Sequence, residues 1–279
     1  MLINIDNGGT LTDVCAITDD NFYKTKTLTT PYDLSKCFFD GLRAISEAVY
    51  GTESVSRLLA EVEHIRYSTT QGTNAIVERK GPQLGLILNK GHGDLAAKMR
   101  AHDPELFDVL VADRIVEVNL DELIDGENGT EAATAITRLT SSGANRVIIC
   151  FDVDDAAGFE TTFKQIAFEN YPRHLLGAVP MLFASELADD VSADRRAWTA
   201  LINSFLHPAM ESFLYNAENR LRKYRTRNPL LIFRNDGNAS RVAKTIAAKT
   251  YSSGPRGGME GVKVFSSSYN LTNVLSMDV

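Results

Sequence analysis

The sequence predicts an α/β fold, and three observations support this prediction. Apolar and polar residues alternate in three short segments near the start, at 2–5, 12–17 and 23–28, which predicts three strands. A helical repeat of apolar residues follows over 34–50, and strands and helices then alternate through most of the chain. With 279 residues and 44% hydrophobic side chains, the chain can build one large or two ordinary domains.

The elements after the three strands follow from periodicity and from turn residues. The first helix is predicted from an N-cap at Asp33 to a stop at Gly51. The helical tract 192–224 contains His207-Pro208, which predicts two helices because proline removes an intrahelical hydrogen bond. The other predictions, in chain order, are a strand at 64–68, a helix at 74–80, a strand at 84–88, loops over 91–130 with one strand at 114–118, a helix at 131–142, a strand at 146–151, a helix at 159–169, strands at 179–183 and 230–234, a turn at 235–238, a helix at 240–249, a glycine-rich segment at 252–261 and a strand at 274–279.

Composition excludes several classes of function. The chain has 29 Lys and Arg against 36 Asp and Glu, and this net charge of −7 argues against nucleic acid or an anionic membrane as the main partner. No apolar run approaches the roughly 18 residues of a membrane span, and the start lacks the features of a secretory signal. Three distant cysteines and five scattered histidines predict a cytoplasmic protein without a structural zinc site.

The clearest chemical motif is segment 6–13, Asp-Asn-Gly-Gly-Thr-Leu-Thr-Asp, between two predicted strands. Glycines let backbone N–H groups approach an anion, and the hydroxyls of Thr10 and Thr12 can add donors. Asp6 ends the first strand and is suited to hold hydrated Mg²⁺. The alternative is an ordinary Asn-Gly hairpin turn, and one hairpin can serve both purposes. The segment fits neither a P-loop nor a Rossmann fingerprint.

Two later segments offer weaker candidates. Thr69, Thr70 and Asn74 could bind a substrate or phosphate at a helix start, or they could simply cap that helix. Segment 252–261 contains several glycines and Arg256, which suit an anion, although close packing or a subunit contact requires the same glycines. We favour packing or an interface for this segment.

Segment 5–14 resembles the first phosphate motif of the hydantoinase A/oxoprolinase family, within the actin/hexokinase/heat-shock-chaperone ATPase superfamily. Further segments resemble this family's motifs in the family's order, at 67–81, 185–208, 230–237 and 253–261. Two departures stand out. The family usually has an aliphatic residue where Asn7 stands, and segment 90–94 replaces a more apolar one.

The resemblance implies a ribonuclease-H-like N-terminal lobe of an actin/hexokinase-like fold, with an attached α/β region and without the second ATPase lobe. It implies a hydantoinase A N-terminal-type domain at 1–175, with the first phosphate hairpin, and a truncated start of the core domain at 176–279. In this superfamily ATP lies between two lobes, and the sequence stops at 278–279, before the second phosphate motif.

The resemblance implies a subunit of an ATP-dependent ketone carboxylase, similar to the small hydantoinase A-type (beta) subunit of acetophenone carboxylase-like complexes. Such enzymes convert an aryl methyl ketone, bicarbonate and ATP to a β-keto acid. The chain would supply a phosphate-binding or structural lobe and would be inactive alone. The alternatives are a non-catalytic scaffold subunit and a half-subunit of an ATP-dependent hydantoinase or oxoprolinase.

The resemblance also implies partners, cofactors and site residues. The partners are a larger hydantoinase A-type and a hydantoinase B-type subunit in a hetero-oligomer, and the cofactors are ATP and Mg²⁺ without biotin. Asp6 would hold Mg²⁺ through water. The residues expected at the nucleotide are Asp6, Gly8, Gly9, Thr10, Thr12, Asp13, Thr69, Thr70 and Asn74, with Thr12 and Asp13 supporting the hairpin. No catalytic residue is assigned.

Overall fold

The strands and helices of this chain form two compact units in a computed structural model, which describes residues 1–91, 94–125, 129–172 and 178–277. Unit 1 is Met1–Glu78 with Ala209–Val279, and unit 2 is Arg79–Pro208. The strands are β1 (Leu2–Asn7), β2 (Leu11–Ile17), β3 (Phe22–Leu28), β4 (His64–Thr69), β5 (Leu84–Asn89), β6 (Ile115–Val118), β7 (Arg146–Ile149), β8 (Met181–Phe183), β9 (Leu230–Phe233) and β10 (Ala239–Arg241). The α-helices are α1 (Leu34–Tyr50), α2 (Val55–Glu61), α3 (Gln71–Val77), α4 (Asp94–His102), α5 (Pro104–Leu110), α6 (Leu120–Asp125), α7 (Thr130–Ser141), α8 (Ala156–Asn170), α9 (Ala184–Leu187), α10 (Ala193–Lys223) and α11 (Ser253–Ser268).

Unit 1 is built on a six-stranded sheet of order β10-β9-β4-β1-β2-β3. β1 runs antiparallel to β2 and parallel to β4, and this register places Asp6 opposite Asp13 on one side and Ser68 on the other. Successive side chains of a strand point to opposite faces, so buried Ile3 and Ile5 lie on one face and exposed Asp6 lies on the other. The three opening strands are therefore confirmed.

Helix α1 agrees with its predicted limits for the predicted reasons. The Asp33 side chain accepts a hydrogen bond from the Ser35 N–H, and Gly51 ends the helix with φ of 73°. The buried side of α1 includes Cys37, Phe38 and Leu42. This helix covers the apolar face of the sheet, because it contacts both β2 and β3.

Unit 2 is built on a parallel sheet of order β6-β5-β7-β8. Every residue of β5 is buried, as expected for a central parallel strand. The core of unit 2 contains Phe151, Phe163 and Phe183, with ring centroids of Phe151 and Phe163 6.0 Å apart. This sheet confirms the predicted alternation of strands and helices.

Region 91–130 contains helices that the sequence analysis predicts as loops. α4 and α5 each bury only two side chains, namely Leu95 and Met99 in α4 and Phe107 and Leu110 in α5. Their apolar repeat is therefore too short to stand out. The start of α5 does carry a readable signal, because Asp103 caps the helix and proline follows at its first position.

The prediction that Pro208 divides a helix is wrong, because α10 continues through it for 31 residues. A proline inside a helix costs about 3 kcal/mol. Buried residues on each side of it, including Phe205, Leu206, Met210 and Phe213, provide packing that offsets this cost.

Near the end of the chain the structure differs from the sequence predictions at three segments. A helix predicted at 240–249 is wrong, because 239–241 pairs with β9 as strand β10 and two short 3₁₀ turns follow. The glycine-rich segment 252–261 forms the start of α11. A strand predicted at 274–279 is absent over 274–277, where Leu275 and Met277 are exposed and have no strand to pair with; residues 278–279 lie outside the described residues.

Candidate functional site

The motif at 6–13 folds as a tight hairpin joining β1 and β2. The Gly8 N–H donates to the Leu11 carbonyl at 3.0 Å, and a Cβ at Gly8 would lie 2.9 Å from that same oxygen. Glycine at position 8 is therefore required by the turn itself. Gly9 and Thr10 are exposed at the tip, and the Thr29 N–H donates to the Thr10 carbonyl at 2.9 Å.

Gly9 differs from Gly8 because nothing in the fold requires a glycine there. A Cβ at Gly9 would meet only the Asn74 side-chain nitrogen, at 3.9 Å, which is ordinary contact. Gly9 is also not among the residues with positive φ. A glycine that is required by neither packing nor conformation keeps the backbone open to close approach by a ligand.

A buried polar network anchors this hairpin from below. The side chain of Asn7 is 2% exposed, and its Nδ2 donates to Thr12 Oγ1 at 2.7 Å while its Oδ1 accepts from Thr69 Oγ1 at 3.3 Å. Thr29 joins the network, because its hydroxyl lies 2.9 Å from Thr12 Oγ1 and donates to the Gly8 carbonyl at 2.9 Å. The hydroxyls of Thr12 and Thr69 therefore face inward and hold the hairpin.

The two carboxylates of the motif lie on the open face of the unit 1 sheet. Asp6 accepts a hydrogen bond from the Ser68 hydroxyl, and Asp13 forms an ion pair with Lys26 at 2.8 Å. The described residues contain no cluster of three or more side chains suited to ligate a metal directly. One exposed carboxylate, Asp6, nevertheless suits Mg²⁺, which keeps most of its water ligands.

The start of α3 lies beside the hairpin. The Thr70 N–H and hydroxyl both donate to the Asn7 carbonyl, at 3.1 and 3.3 Å, and Asn74 Nδ2 donates to Thr70 Oγ1 at 3.4 Å. Thr69 serves as a local cap, because its Oγ1 accepts from the backbone N–H two residues on. Of these three candidates, Asn74 is the one that lies next to Gly9.

Segment 252–261 packs within unit 1. The Ser252 N–H donates to Thr73 Oγ1 at 3.1 Å, which fixes the start of α11 beside α3. Arg256 forms an ion pair with Glu260 at 2.6 Å. These contacts hold the segment within unit 1, but a Cβ at Gly254, Gly258 or Gly261 would meet nothing within 4 Å. Close packing inside this chain therefore does not require these three glycines, and the choice between packing and an interface stays a prediction.

The cysteines take no part in this arrangement as nucleophiles. Cys37 and Cys150 are buried, and Cys15 is partly buried. Burial raises the pKa of the Cys150 thiol to about 12, so this thiol stays protonated at neutral pH.

Thr29, a member of the buried network, and Ser68, the hydrogen-bond partner of Asp6, are not among the residues that the sequence analysis assigns to the site. Thr29 and Ser68 carry no special spacing relative to 6–13, since they are 22 residues from Asn7 and 62 from Asp6 respectively. A regular strand register brings Ser68 beside Asp6, so only the pairing of β1 with β4 could have revealed it.

This chain belongs to the hydantoinase/oxoprolinase family. The hydantoinase/oxoprolinase N-terminal region matches residues 2–151, and the hydantoinase/oxoprolinase region matches residues 196–279. The division predicted at 175/176 rests on resemblance alone and stays a prediction. No helix in the part of the chain that the structure describes has the length and apolar character of a membrane span.

Particular relatives include subunits of ATP-dependent enzymes. The acetophenone carboxylase gamma subunit of Aromatoleum aromaticum is 26% identical over 99% of this chain and 41% of its own length. The 5-oxoprolinase 1 of Arabidopsis thaliana is 26% identical over 92% of this chain and 23% of its own length. The nucleotide-free structure of acetone carboxylase superposes with a TM-score of 0.82 at 20% identity, over 97% of this chain and 41% of that chain.

These matches confirm the predicted family and the actin/hexokinase-like fold. The acetophenone carboxylase relative is a gamma subunit, whereas the sequence resemblance pointed to a small beta subunit. The chain spans at most about two fifths of the length of the relatives described above.

Proposed function

We propose that this chain supplies one phosphate-binding lobe of an ATP-dependent carboxylase that acts on an aryl methyl ketone. The observation that carries the proposal is Gly9, a glycine at an exposed hairpin tip where the fold itself would accept a side chain. The backbone N–H groups of Gly9 and Thr10 are then free to approach phosphate oxygens. Relatives named as acetophenone and acetone carboxylases support the reaction class.

In this proposal the network below the hairpin positions the phosphate-binding backbone. Asn7 and Thr29 hold the Gly8 turn through buried hydrogen bonds, so the tip needs little reorganisation when phosphate binds. Asn74 adds a side-chain amide beside Gly9. Asp6 would hold Mg²⁺ through water, and the ion would neutralise charge on the phosphates.

A second lobe is needed to complete such a site, in the same or another polypeptide. The apolar side chains of Met259, Val264 and Phe265 on α11 and of Tyr269 directly after it are exposed, and the rings of Phe265 and Tyr269 stack on each other. Exposed apolar patches of this kind mark interaction surfaces. We propose that a larger hydantoinase A-type chain and a hydantoinase B-type chain are the partners in a hetero-oligomer.

Two alternatives remain distinct from this proposal. In the first, unit 1 is a scaffold that packs in the complex without contacting nucleotide. In the second, the chain serves an ATP-dependent hydantoinase or oxoprolinase, which the 26% identity to a 5-oxoprolinase supports. The two reaction classes differ in substrate, and a comparison of ketone-dependent with cyclic-amide-dependent ATP hydrolysis separates them.

The test uses Gly9→Ala in the complex reconstituted from this chain and the neighbouring subunits. A Cβ at position 9 fits the fold but adds bulk at the exposed tip, so we expect normal assembly with Mg·ATP binding weakened roughly tenfold, which corresponds to about 1.4 kcal/mol. Val77→Ala is the control, because Val77 is exposed on α3 and outside the hairpin. Binding is measured by calorimetry.

Two results would decide against the proposal. Unchanged Mg·ATP affinity and ketone-dependent ATP hydrolysis in the Gly9→Ala complex would favour the scaffold role. Tight Mg·ATP binding by the isolated chain would contradict the half-site role, because one lobe would then be sufficient.

A further inference from the structure

Unit 2 contains a cavity of about 520 Å³ that the proposed function does not use. Cavities of about 300–1,000 Å³ are the usual size for small organic ligands. All of its lining residues come from the α4–α5 corner, the loop before α10 and the first turns of α10. We call it the Trp198 pocket, and its residues are His102, Asp103, Leu106, Asp194, Trp198 and Ile202, together with four others.

One wall of the pocket is apolar and aromatic. The Trp198 ring stands edge-on to Phe107 with centroids 6.2 Å apart, and Phe107 is fully buried. Leu106 and Ile202 extend this wall. A buried aromatic neighbour keeps the Trp198 ring in one orientation, so the wall is a fixed surface for an apolar or aromatic group.

The rim of the pocket is acidic. Arg195 binds Asp190 through two hydrogen bonds, both of 2.7 Å, and this pairing lowers the pKa of Asp190 to about 2. The Arg195 charge is thereby compensated. Asp103 caps α5 by accepting from the Leu106 N–H at 3.0 Å, and Asp194 forms no ion pair within the described part of the chain. Three carboxylates thus line the pocket together with one guanidinium and the imidazole of His102, whose ring centroid lies 6.4 Å from that of Trp198.

The loop on one side of the pocket is held in place by a buried cluster. Arg196 donates to the Asp190 carbonyl at 2.6 Å and to the Phe151 carbonyl at 2.7 Å. Glu160, which is 1% exposed, accepts from the N–H groups of Phe151 at 3.2 Å and Ser185 at 2.8 Å. Ser185 and Arg196 lie in segment 185–208, which resembles a family motif and takes no part in the phosphate hairpin. In this structure they support the pocket.

We infer that the Trp198 pocket binds a small organic cation, with an ammonium group at the acidic rim and an apolar or aromatic body against the Trp198 wall. An indole ring attracts cations through its face, and nearby carboxylates add Coulomb attraction. An anionic ligand would meet an excess of negative charge, because three carboxylates and one guanidinium line the pocket. This site is separate from the phosphate hairpin, and it goes beyond the proposed carboxylase role.

The test uses the fluorescence of Trp198, the single tryptophan of the chain, so any saturable change reports on this pocket. The full chain is titrated with 2-phenylethylammonium and, in parallel, with 3-phenylpropionate as the anionic counterpart. We expect a saturable change with the cation that weakens as salt is added. Asp103→Asn and Asp194→Asn should each weaken binding roughly 2- to 5-fold, because an exposed ion pair contributes modestly. Asp103→Asn keeps the cap of α5.

Asp154→Asn is the matched control, because it removes an exposed carboxylate that does not line the pocket. Its affinity for the cation should equal that of the parent chain. The inference is overturned if the anion binds as tightly as the cation, if the cation produces no saturable change up to about 20 mM, or if the Asp194→Asn and Asp154→Asn chains bind equally.

Discussion

Each unit contains a buried polar network, and the two networks differ in charge. The network of unit 1 is neutral and joins Asn7 to threonine hydroxyls beneath an exposed hairpin. The network of unit 2 is built around the carboxyl group of Glu160, which accepts from Phe151 and Ser185. A neutral network can be buried at little cost, whereas a buried carboxylate must be satisfied by several donors.

The two units therefore place their carboxyl groups differently, exposed in unit 1 and buried in unit 2. Unit 1 keeps its motif carboxylates, Asp6 and Asp13, on the open face of the sheet, and the buried polar side chains of its described residues are neutral. Unit 2 places a carboxyl group inside, and burial raises the pKa of Glu160 despite its three donors. The first arrangement leaves charge available to a ligand, and the second uses it to hold loops together.

The largest expected effect follows from removing the carboxyl group of unit 2. Glu160→Ala leaves the N–H groups of Phe151 and Ser185 without their acceptor, at about 1–3 kcal/mol for each buried group. We expect roughly 3 kcal/mol lower stability in unit 2, measured by hydrogen exchange of β7 and α9. Glu169→Ala, on the exposed side of α8, should change stability by less than about 0.5 kcal/mol. Equal effects of the two variants would show that the cluster is unimportant.

A substitution in the neutral network of unit 1 should lower stability less than Glu160→Ala does in unit 2. Asn7→Leu supplies the aliphatic side chain usual in the family but leaves Thr69 Oγ1 without its acceptor and Thr12 with one partner fewer. We expect a loss of about 1–3 kcal/mol in unit 1, read from hydrogen exchange of β1 and β2. Asn4→Leu is the control, because Asn4 lies on the other face of β1 and is only partly buried. A loss at Asn4→Leu as large as that at Asn7→Leu would contradict a special role for the network.

The smallest expected effect is on the stability of the folded state at low pH, through the ion pair of Asp190 with Arg195. Hydrogen bonds from Arg195 and from the Ser192 N–H lower the pKa of Asp190 from 3.8 to about 2. A lowered pKa in the folded state adds stability above pH 4, and this contribution disappears as the pH falls toward 2. Burial raises the pKa of Glu160 above its ordinary value of 4.5, so the stability that its protonation adds is fully present below pH 4.5 and is lost as the pH rises through the raised pKa.

Asp190→Asn should therefore flatten the acid limb of a plot of stability against pH, measured by urea unfolding between pH 5 and pH 2. Asp189→Asn, an exposed neighbour, should leave the limb unchanged. A parent-like acid limb in the Asp190→Asn chain would show that the ion pair does not persist in solution.

The sequence predicted the local features of the fold well and the long-range ones poorly. Asp33, Gly51 and the alternation in β1 to β3 act over a few residues, so helix α1 and the hairpin could be placed without a structure. The hydrogen-bond partners of Asn7 lie up to 63 residues away and depend on sheet register. The continuity of α10 through Pro208 depends on tertiary packing, which no local rule contains.

The sequence likewise predicted only part of the candidate site, and the rest required the structure. The sequence placed Gly8, Gly9 and Thr10 at one hairpin tip, and the structure brings Asn74 next to Gly9. It could not distinguish Gly8, which the turn requires, from Gly9, which the fold does not require. That distinction depends on the position of the Leu11 carbonyl, so it needs coordinates.

The central claim is that the tip of this hairpin contacts phosphate, and residue-resolved hydrogen exchange at Gly9 and Thr10 tests it most directly. The measurement compares the reconstituted complex with and without Mg·ATP. The account predicts slower exchange of the Gly9 and Thr10 N–H groups when Mg·ATP is present, and loss of that slowing in the Gly9→Ala complex. Unchanged exchange at both N–H groups, in a complex that binds and hydrolyses ATP, would contradict it.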